Sequence, residues 1–343
     1  MSNSSLLEIT KKGIYCQKAG IYIDPWVPVK KALITHGHAD HARWGHQHYM
    51  STSLTKAIMH HRLGESLDIQ GAPYGEQILI NGVKFSFHPA GHLPGSAQVR
   101  VEHKGEICVA SGDYKLSKDP LAEPFEPIKC HTFISECTFG LPVFRWNSHE
   151  ESVRKINIWW RENQKKGLVS VIGGYALGKA QRILTSLDPS IGPIYTHGAV
   201  ENINRVLRAS GVTLPETIQV MPHENPDYSG SMVIATPSAL SSPWMKRFKP
   251  YTTALASGWM TIRGARRRRS VDKGFVMSDH ADWEELNRAI AETGAENIIC
   301  THGYTQVFAQ WLRSNGYNAV SEETEFKGEL MEVSEDDSKE HGT

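Results

Sequence analysis

The chain has 343 residues, 40% of them hydrophobic and 22% charged, with 37 basic and 37 acidic side chains and no formal net charge. No apolar run approaches the ~18 residues of a membrane span, and Met1 to Gly13 lacks the apolar core of a secretory leader, so a cytoplasmic protein with no membrane partner is expected. Five scattered cysteines without a Cys-x-x-Cys pair exclude a disulfide framework and a zinc knuckle, leaving reduced, mostly buried thiols.

The length predicts roughly two domains. Neutrality hides an asymmetry: residues 321–343 carry nine acids against two lysines, a net of −7, so residues 1–320 carry +7. That acidic segment reads as a solvated, disordered end.

In chain order, the stretch from Ile21 to Gly140 reads as β-rich. Ile21 to Ile23 and Ala32 to Ile34 are short apolar runs. Gln77 to Ile80 and Val83 to Phe87 flank Asn81-Gly82, a tight-hairpin signal. A second hairpin runs from Ala97 to Glu102, turns at Lys104-Gly105 and returns over Ile107 to Ala110. Thr132 to Ser135 adds a strand, and regular short strands favour a sandwich of sheets. The pattern then changes. Ser148-x-x-Glu151 is a capping box opening a helix that stops at Gly167. From Leu168 to Ser270 strands (Val169 to Ile172, Pro193 to Tyr195, Met232 to Ala235) alternate with helices (Lys179 to Leu187, Val200 to Ser210), an α/β pattern. Phe275 to Ser278 reads as a strand. Asp282-x-x-Glu285 caps a helix ending at Gly294, and Asn297 to Cys300 and Val307 to Arg313 follow as strand and helix.

The chemistry concentrates in Thr35-His36-Gly37-His38-Ala39-Asp40-His41, directly after an apolar strand. Alternate residues of an extended segment point to one side, so His36 and His38 can converge on one ion. A turn through Gly37 and Ala39 can aim Asp40 and His41 at a neighbouring one. Imidazole nitrogen with carboxylate oxygen suits zinc, or manganese where carboxylates dominate. The bland alternative is a histidine-rich surface loop. Further candidate ligands, His92 and Asp113, each follow a glycine at a strand end.

These residues resemble a known signature. His36-x-His38-x-Asp40-His41, then His92 and Asp113, with Asp24 ahead of them, is similar to the ordered set of the metallo-β-lactamase fold. Ser135-Glu136, Asp279-His280-Ala281-Asp282 and Thr301-His302-Gly303 resemble the added motifs of its β-CASP nuclease branch. Thr35 to His41, Gly91 to Ser96, Phe139 to Val143 and Ser278 to Trp283 resemble bacterial DNA-ligase-associated exonucleases.

The resemblance implies an α/β protein: an αββα sandwich with an inserted small α/β β-CASP cap. The sandwich takes residues 1–167 and 271–320, the cap residues 168–270, and substrate lies between the two. It implies one metal on His36, His38 and His92, and a second on Asp40, His41 and His302. Asp113 bridges them, and Asp24 orients a ligand without binding metal. Asp40, Glu136 and His280 form the catalytic group, with Glu136 and His280 paired beside the scissile bond. Two divalent ions, zinc foremost and manganese as an alternative, lower the pKa of a water and neutralise phosphate charge. His280, tuned by Glu136, protonates the departing alkoxide.

The implied activity is phosphodiester hydrolysis: a DNA exonuclease in repair, associated with a ligase or helicase. Histidine at 302 is typical of RNA-acting members, so an RNA-processing nuclease is the runner-up. A thioester or lactam hydrolase on the same fold and a non-catalytic binding module are the other classes. Arg263, Arg266, Arg267, Arg268 and Arg269 place five arginines in seven residues, enough to neutralise several phosphates of a nucleic acid. Lys179 joins them as an expected nucleic-acid contact. Tyr175, Ser238, Trp244 and His197 are weaker candidates, with Trp244 and His197 equally readable as structural.

Overall fold

A computed structural model describes residues 5–118, 120–224, 226–262, 264 and 270–326. The five arginines expected to contact nucleic acid, Arg263, Arg266, Arg267, Arg268 and Arg269, lie outside the described residues, as do residues 327–343 of the acidic segment. The chain divides into two units. The first takes residues up to 118, 122–144 and those from 280 to 326; the second is built mainly from residues 145–279. No described helix is long and apolar enough to cross a membrane.

In the first unit, one sheet runs in chain order: β1 (Glu8–Thr10), β2 (Gly13–Cys16), β3 (Ile21–Ile23), β4 (Lys31–Leu33), β5 (His48–Thr52) and β6 (Ile69–Ala72). Its first three strands are antiparallel and the rest parallel. Helix α1 (Ser53–Leu63) crosses from β5 to β6. It is capped by Thr52, whose hydroxyl accepts the Thr55 N–H. The sequence reading has no helix there. The segment is weakly amphipathic and has no acid in its first turn. Packing of Met59 against Ala32, Ile34 and Tyr49 stabilises it instead.

The second sheet begins with β7 (Ile78–Ile80), β8 (Val83–Pro89), β9 (Ala97–His103), β10 (Glu106–Ala110) and β11 (Thr132–Cys137). Both expected hairpins form. Asn81 and Lys104 take φ values of 48° and 49° at their turns, matching the twist of the strands they join. Ile21, Ile23 and Leu33 of the first sheet pack against Phe85, Phe87, Val99, Val101 and Ile134 of the second. Each such fully buried side chain contributes about 1.5–3 kcal/mol.

The second unit holds α2 (His149–Lys165), β12 (Val169–Gly173), α3 (Lys179–Leu184), β13 (Ile194–Thr196), α4 (Gly198–Ala209), β14 (Ile218–Gln219), β15 (Met232–Ala235), β16 (Tyr251–Ala256) and β17 (Lys273–Phe275). All paired strands are parallel, in the order β14-β13-β15-β12-β16-β17. Ser148 caps α2 as its sequence predicts. Lys179 to Leu187 reads as helix in sequence, but α3 ends at Leu184.

The chain then returns to the first unit with α5 (Trp283–Thr293), β18 (Asn297–Gly303), α6 (Thr305–Ser314) and β19 (Asn318–Ser321). Strand β18 pairs in parallel with β11, completing the order β19-β18-β11-β10-β9-β8-β7. Leu286, Ile290, Phe308 and Leu312 of α5 and α6 cover Val109, Phe133 and Cys300. Asp282 caps α5 by accepting the Glu285 N–H at 2.9 Å. The Glu285 carboxylate accepts the Ser117 N–H at 2.7 Å. All five cysteines are free and buried.

Candidate metal centre

Strand β4 delivers the histidine loop, and Asp24, just after β3, fixes where that loop begins. Asp24 Oδ1 accepts the Thr35 N–H at 2.8 Å and Oδ2 the Thr35 hydroxyl at 2.6 Å. Asp24 Oδ2 also lies 2.8 Å from His41 Nδ1. Thr35 Oγ1 in turn lies 3.0 Å from His36 Nδ1. With their Nδ1 atoms engaged, His36 and His41 turn Nε2 inward. His36 Nε2 stands 3.5 Å from Asp113 Oδ2, and His41 Nε2 stands 3.6 Å from Asp113 Oδ1.

Two clusters result. Ligand atoms of His36, His38, His92 and Asp113 lie within 4.8 Å of one another, as do those of His41, Asp113 and His302. His92 Nε2 is 3.1 Å from His38 Nδ1 and 3.8 Å from Asp113 Oδ2. His302 Nδ1 is 3.4 Å from Asp113 Oδ1. The two oxygens of Asp113 therefore face different clusters. Asp40 stands beside the second, its Oδ2 3.9 Å from His41 Nε2. All these side chains are buried.

Local backbone chemistry aims the late-coming ligands. Gly112 precedes Asp113 with φ 56°, and a Cβ there would sit 2.7 Å from Thr35 Oγ1. Only glycine lets the chain pass Thr35 at that distance. In the β11–β18 pairing Glu136 opposes Thr301 while Cys137 opposes Gly303. His302 is thus the extra residue of a bulge, with φ 61°, and the bulge turns its ring toward Asp113.

The donor set fits divalent cations. Buried polar atoms are nearly always hydrogen-bonded, yet Nε2 of His36, His41 and His302 has no hydrogen-bond partner. The electrostatics agree. Burial drives the His36 imidazole well below its ordinary pKa, helped by neighbouring His41, so its lone pair is available. Burial also opposes charge on His41, but Asp113, Asp40 and Asp24 outweigh it and push its pKa up to about 10. Burial works against the Asp113 carboxylate too, yet His41, His280 and His302 hold it well below the usual range. A proton on His41 thus stands in for the positive charge these carboxylates require. Nitrogen-rich donors of this kind suit zinc, and the carboxylate share also suits manganese.

A third group shares Asp113. Glu136 Oε1 lies 2.9 Å from His280 Nδ1, and His280 Nδ1 lies 3.9 Å from Asp113 Oδ2. Glu136 is itself held: Oε1 accepts the Tyr114 N–H at 3.1 Å and Oε2 the Thr138 N–H at 3.2 Å. Such partners orient a working group without touching substrate.

Other candidates fall elsewhere. Lys179 and Arg182 are fully buried on α3, and both bind Asp279, Lys179 Nζ at 3.0 Å from Oδ2. Lys179 is therefore an internal counter-ion, with no exposed ammonium to offer a phosphate, which corrects its expected role as a nucleic-acid contact. Arg263, Arg266, Arg267, Arg268 and Arg269, the other expected contacts, fall outside the described residues. His197 caps α4 by accepting the Ala199 N–H at 3.2 Å. Trp244 packs edge-on to Phe248 and His197. Tyr175 is buried and Ser238 lies 3.0 Å from the Thr236 hydroxyl. The sequence reading assigns no role to Thr35, Tyr114, Thr138 or Phe326. Thr35 sits inside the quoted motif, but a hydroxyl serving Asp24 and His36 leaves no periodic or spacing signal.

No family model matches the chain. Over 313 residues, 90% of its length, it is 31% identical to a probable DNA ligase of Opitutus terrae, of which it spans 30%. It is 29% identical over 197 residues, half of its length, to Ribonuclease TTHA0252 of Thermus thermophilus, of which it spans 44%. The chain thus covers less than half of either relative. A crystal structure of a protein of unknown function from Enterococcus faecalis V583 shares the fold, with a TM-score of 0.59 and 11% identity over 84% of this chain and 78% of that one. The relatives are nucleases of the β-CASP branch of the metallo-β-lactamase superfamily, the family whose motifs the sequence resembles.

Proposed function

We propose that the chain is a metal-dependent phosphodiester hydrolase acting as a DNA exonuclease in repair. The observation that carries this reading is Asp113, whose two oxygens face separate histidine clusters while Glu136 and His280 form a third group on the same carboxylate. His36, His38, His92 and Asp113 would hold one ion, and Asp40, His41, His302 and Asp113 the other. Zinc is the proposed ion at both, with manganese a substitute. Two such ions supply Lewis acidity, lowering the pKa of a water toward neutrality and neutralising phosphate oxygens.

The protein's own groups do the rest. Asp24 fixes His41, and Thr35 fixes His36. Glu136 holds His280 at Nδ1, and the imidazole would deliver a proton to the departing alkoxide. The face-to-face sheets, with α1 on one outer side and α5 and α6 on the other, support an αββα sandwich. The all-parallel second unit supports the inserted β-CASP cap.

The match over 90% of the chain to a protein named a DNA ligase favours DNA, and a working association with a ligase in repair. His302 and the ribonuclease relative favour the second reading, RNA processing. The test is a time course on matched 5′- and 3′-labelled DNA and RNA with zinc or manganese. Metal-dependent shortening of DNA from one end, lost in Asp40→Ala, is expected. Preferential RNA cleavage establishes the second reading, and no cleavage of either, with Asp40→Ala behaving as wild type, overturns both.

A further inference from the structure

Phe326 lies flat on the imidazole of His41. The ring centroids are 4.4 Å apart and the planes differ by 5°. The same phenyl ring meets Trp26 edge-on at 5.5 Å and stands 6.0 Å from the ring of His302. It lines a small cavity together with Asp24, His41, Asp113 and His302. In the second cluster it meets the imidazoles of both His41 and His302.

The approach is built into the fold. Strand β19 pairs with β18 up to Ser321 opposite Cys300, which points the chain back toward His302. The Glu325 carbonyl then accepts Arg43 Nη2 at 2.8 Å. Arg43 also donates to the carbonyls of Asp40 and Trp26, each at 3.1 Å. The segment is therefore fastened to the very loop that carries Asp40 and His41.

We propose that Phe326 is a positioning residue for the second metal site, an inference that rests on the two-metal reading. The Asp24 hydrogen bond fixes His41 Nδ1 but still allows the ring to swing about that contact. A ring stacked in parallel removes the swing and keeps Nε2 aimed at Asp113. It also keeps water from the outer face of the ligand. Phe326 thus forms one wall of the cavity at the second cluster.

Phe326 stacks on a ligand of the second site, so the two sites should release their ions differently. The full-length chain is loaded with zinc and challenged with a chelator in the absence of nucleic acid, and ion release is followed in time. Loss of an outer-shell partner typically weakens a metal about 10–100-fold. In Phe326→Ala one of two ions is expected to leave about tenfold faster while the other keeps its wild-type rate. Phe326→Trp, which keeps the stack, is expected to restore the slow phase, and Phe326→Leu, which keeps bulk without a plane, to fall between. Cobalt loading supplies a spectrum that reports the ligand geometry of the labile site, with a changed band expected in Phe326→Ala. Wild-type release rates in Phe326→Ala, or equal acceleration of both ions, overturns the proposal alone. Uptake of fewer than two ions by the wild type overturns it together with the two-metal reading.

Discussion

Glu136 grips His280 at Nδ1 across 2.9 Å while its other contacts, to the backbone of Tyr114 and Thr138, lock the carboxylate in place. The residues are 144 positions apart in sequence and meet beside Asp113. If His280 delivers the proton to the leaving group, His280→Ala should lower kcat by about 10²–10⁴-fold. Metal content, by elemental analysis, should remain at two ions. Glu136→Gln should give a smaller loss, because it spares the imidazole and removes only its orienting charge. Loss of metal in either variant would reassign the pair to the ligand set.

Asp113 separates the two clusters by its two oxygens, so its removal should be felt in both. Asp113→Ala is expected to bind neither ion tightly, whereas His302→Ala, at the second cluster alone, should keep one. Elemental analysis of the dialysed variants, beside wild type, distinguishes these outcomes.

The ion-free centre predicts a proton linkage. His41 has its pKa raised from 6.5 to about 10, so at neutral pH it carries a proton that a cation must expel. Apparent metal affinity should rise about tenfold per pH unit for each proton released, up to about pH 10. Zinc titrations in two buffers of different ionisation heat should report that proton. The stability of the ion-free protein runs the other way. A raised imidazole pKa contributes stability fully present below 6.5 and lost as pH rises through about 10. Melting of the chelated protein should therefore fall over that window, and His41→Gln should flatten the dependence.

In the second unit, Asp279 neutralises two buried cations at once, Lys179 and Arg182. Removing it leaves both charges buried without their carboxylate. Asp279→Ala should cost roughly 3–5 kcal/mol in denaturant unfolding. The paired change Asp279→Leu with Lys179→Met should recover part of that loss. Equal stability of the single variant and wild type would show that water or a neighbouring group compensates.

Local signals made much of this legible in the sequence. Asn81-Gly82 and Lys104-Gly105 announced hairpins because two-residue turns demand positive φ. Ser148 and Asp282 announced helix starts because caps are short-range chemistry. The run from His36 to His41 announced a candidate ion site because few other structures need four such groups in six positions. What stayed hidden depends on partners far along the chain. Lys179 at the start of a helix reads as a surface cation, and its counter-ion Asp279 comes a hundred residues later. Helix α1 escaped because its own amphipathicity is slight and its packing partners lie in other elements. Phe326 escaped because one aromatic in an acidic stretch carries no sign of an imidazole 285 positions away.

Strand β18 lies second from the edge of its sheet, between β19 and β11, and every other strand of that sheet except β19 is synthesised before it. His36, His38, His92 and Asp113 all precede it, so the first cluster can gather early. His302 follows Asp113 by an interval that takes on the order of 10–40 s to synthesise at about 5–20 residues per second. On the proposed reading, a nascent chain holds the residues of the first cluster during that interval and completes the second only once residue 302 has been made.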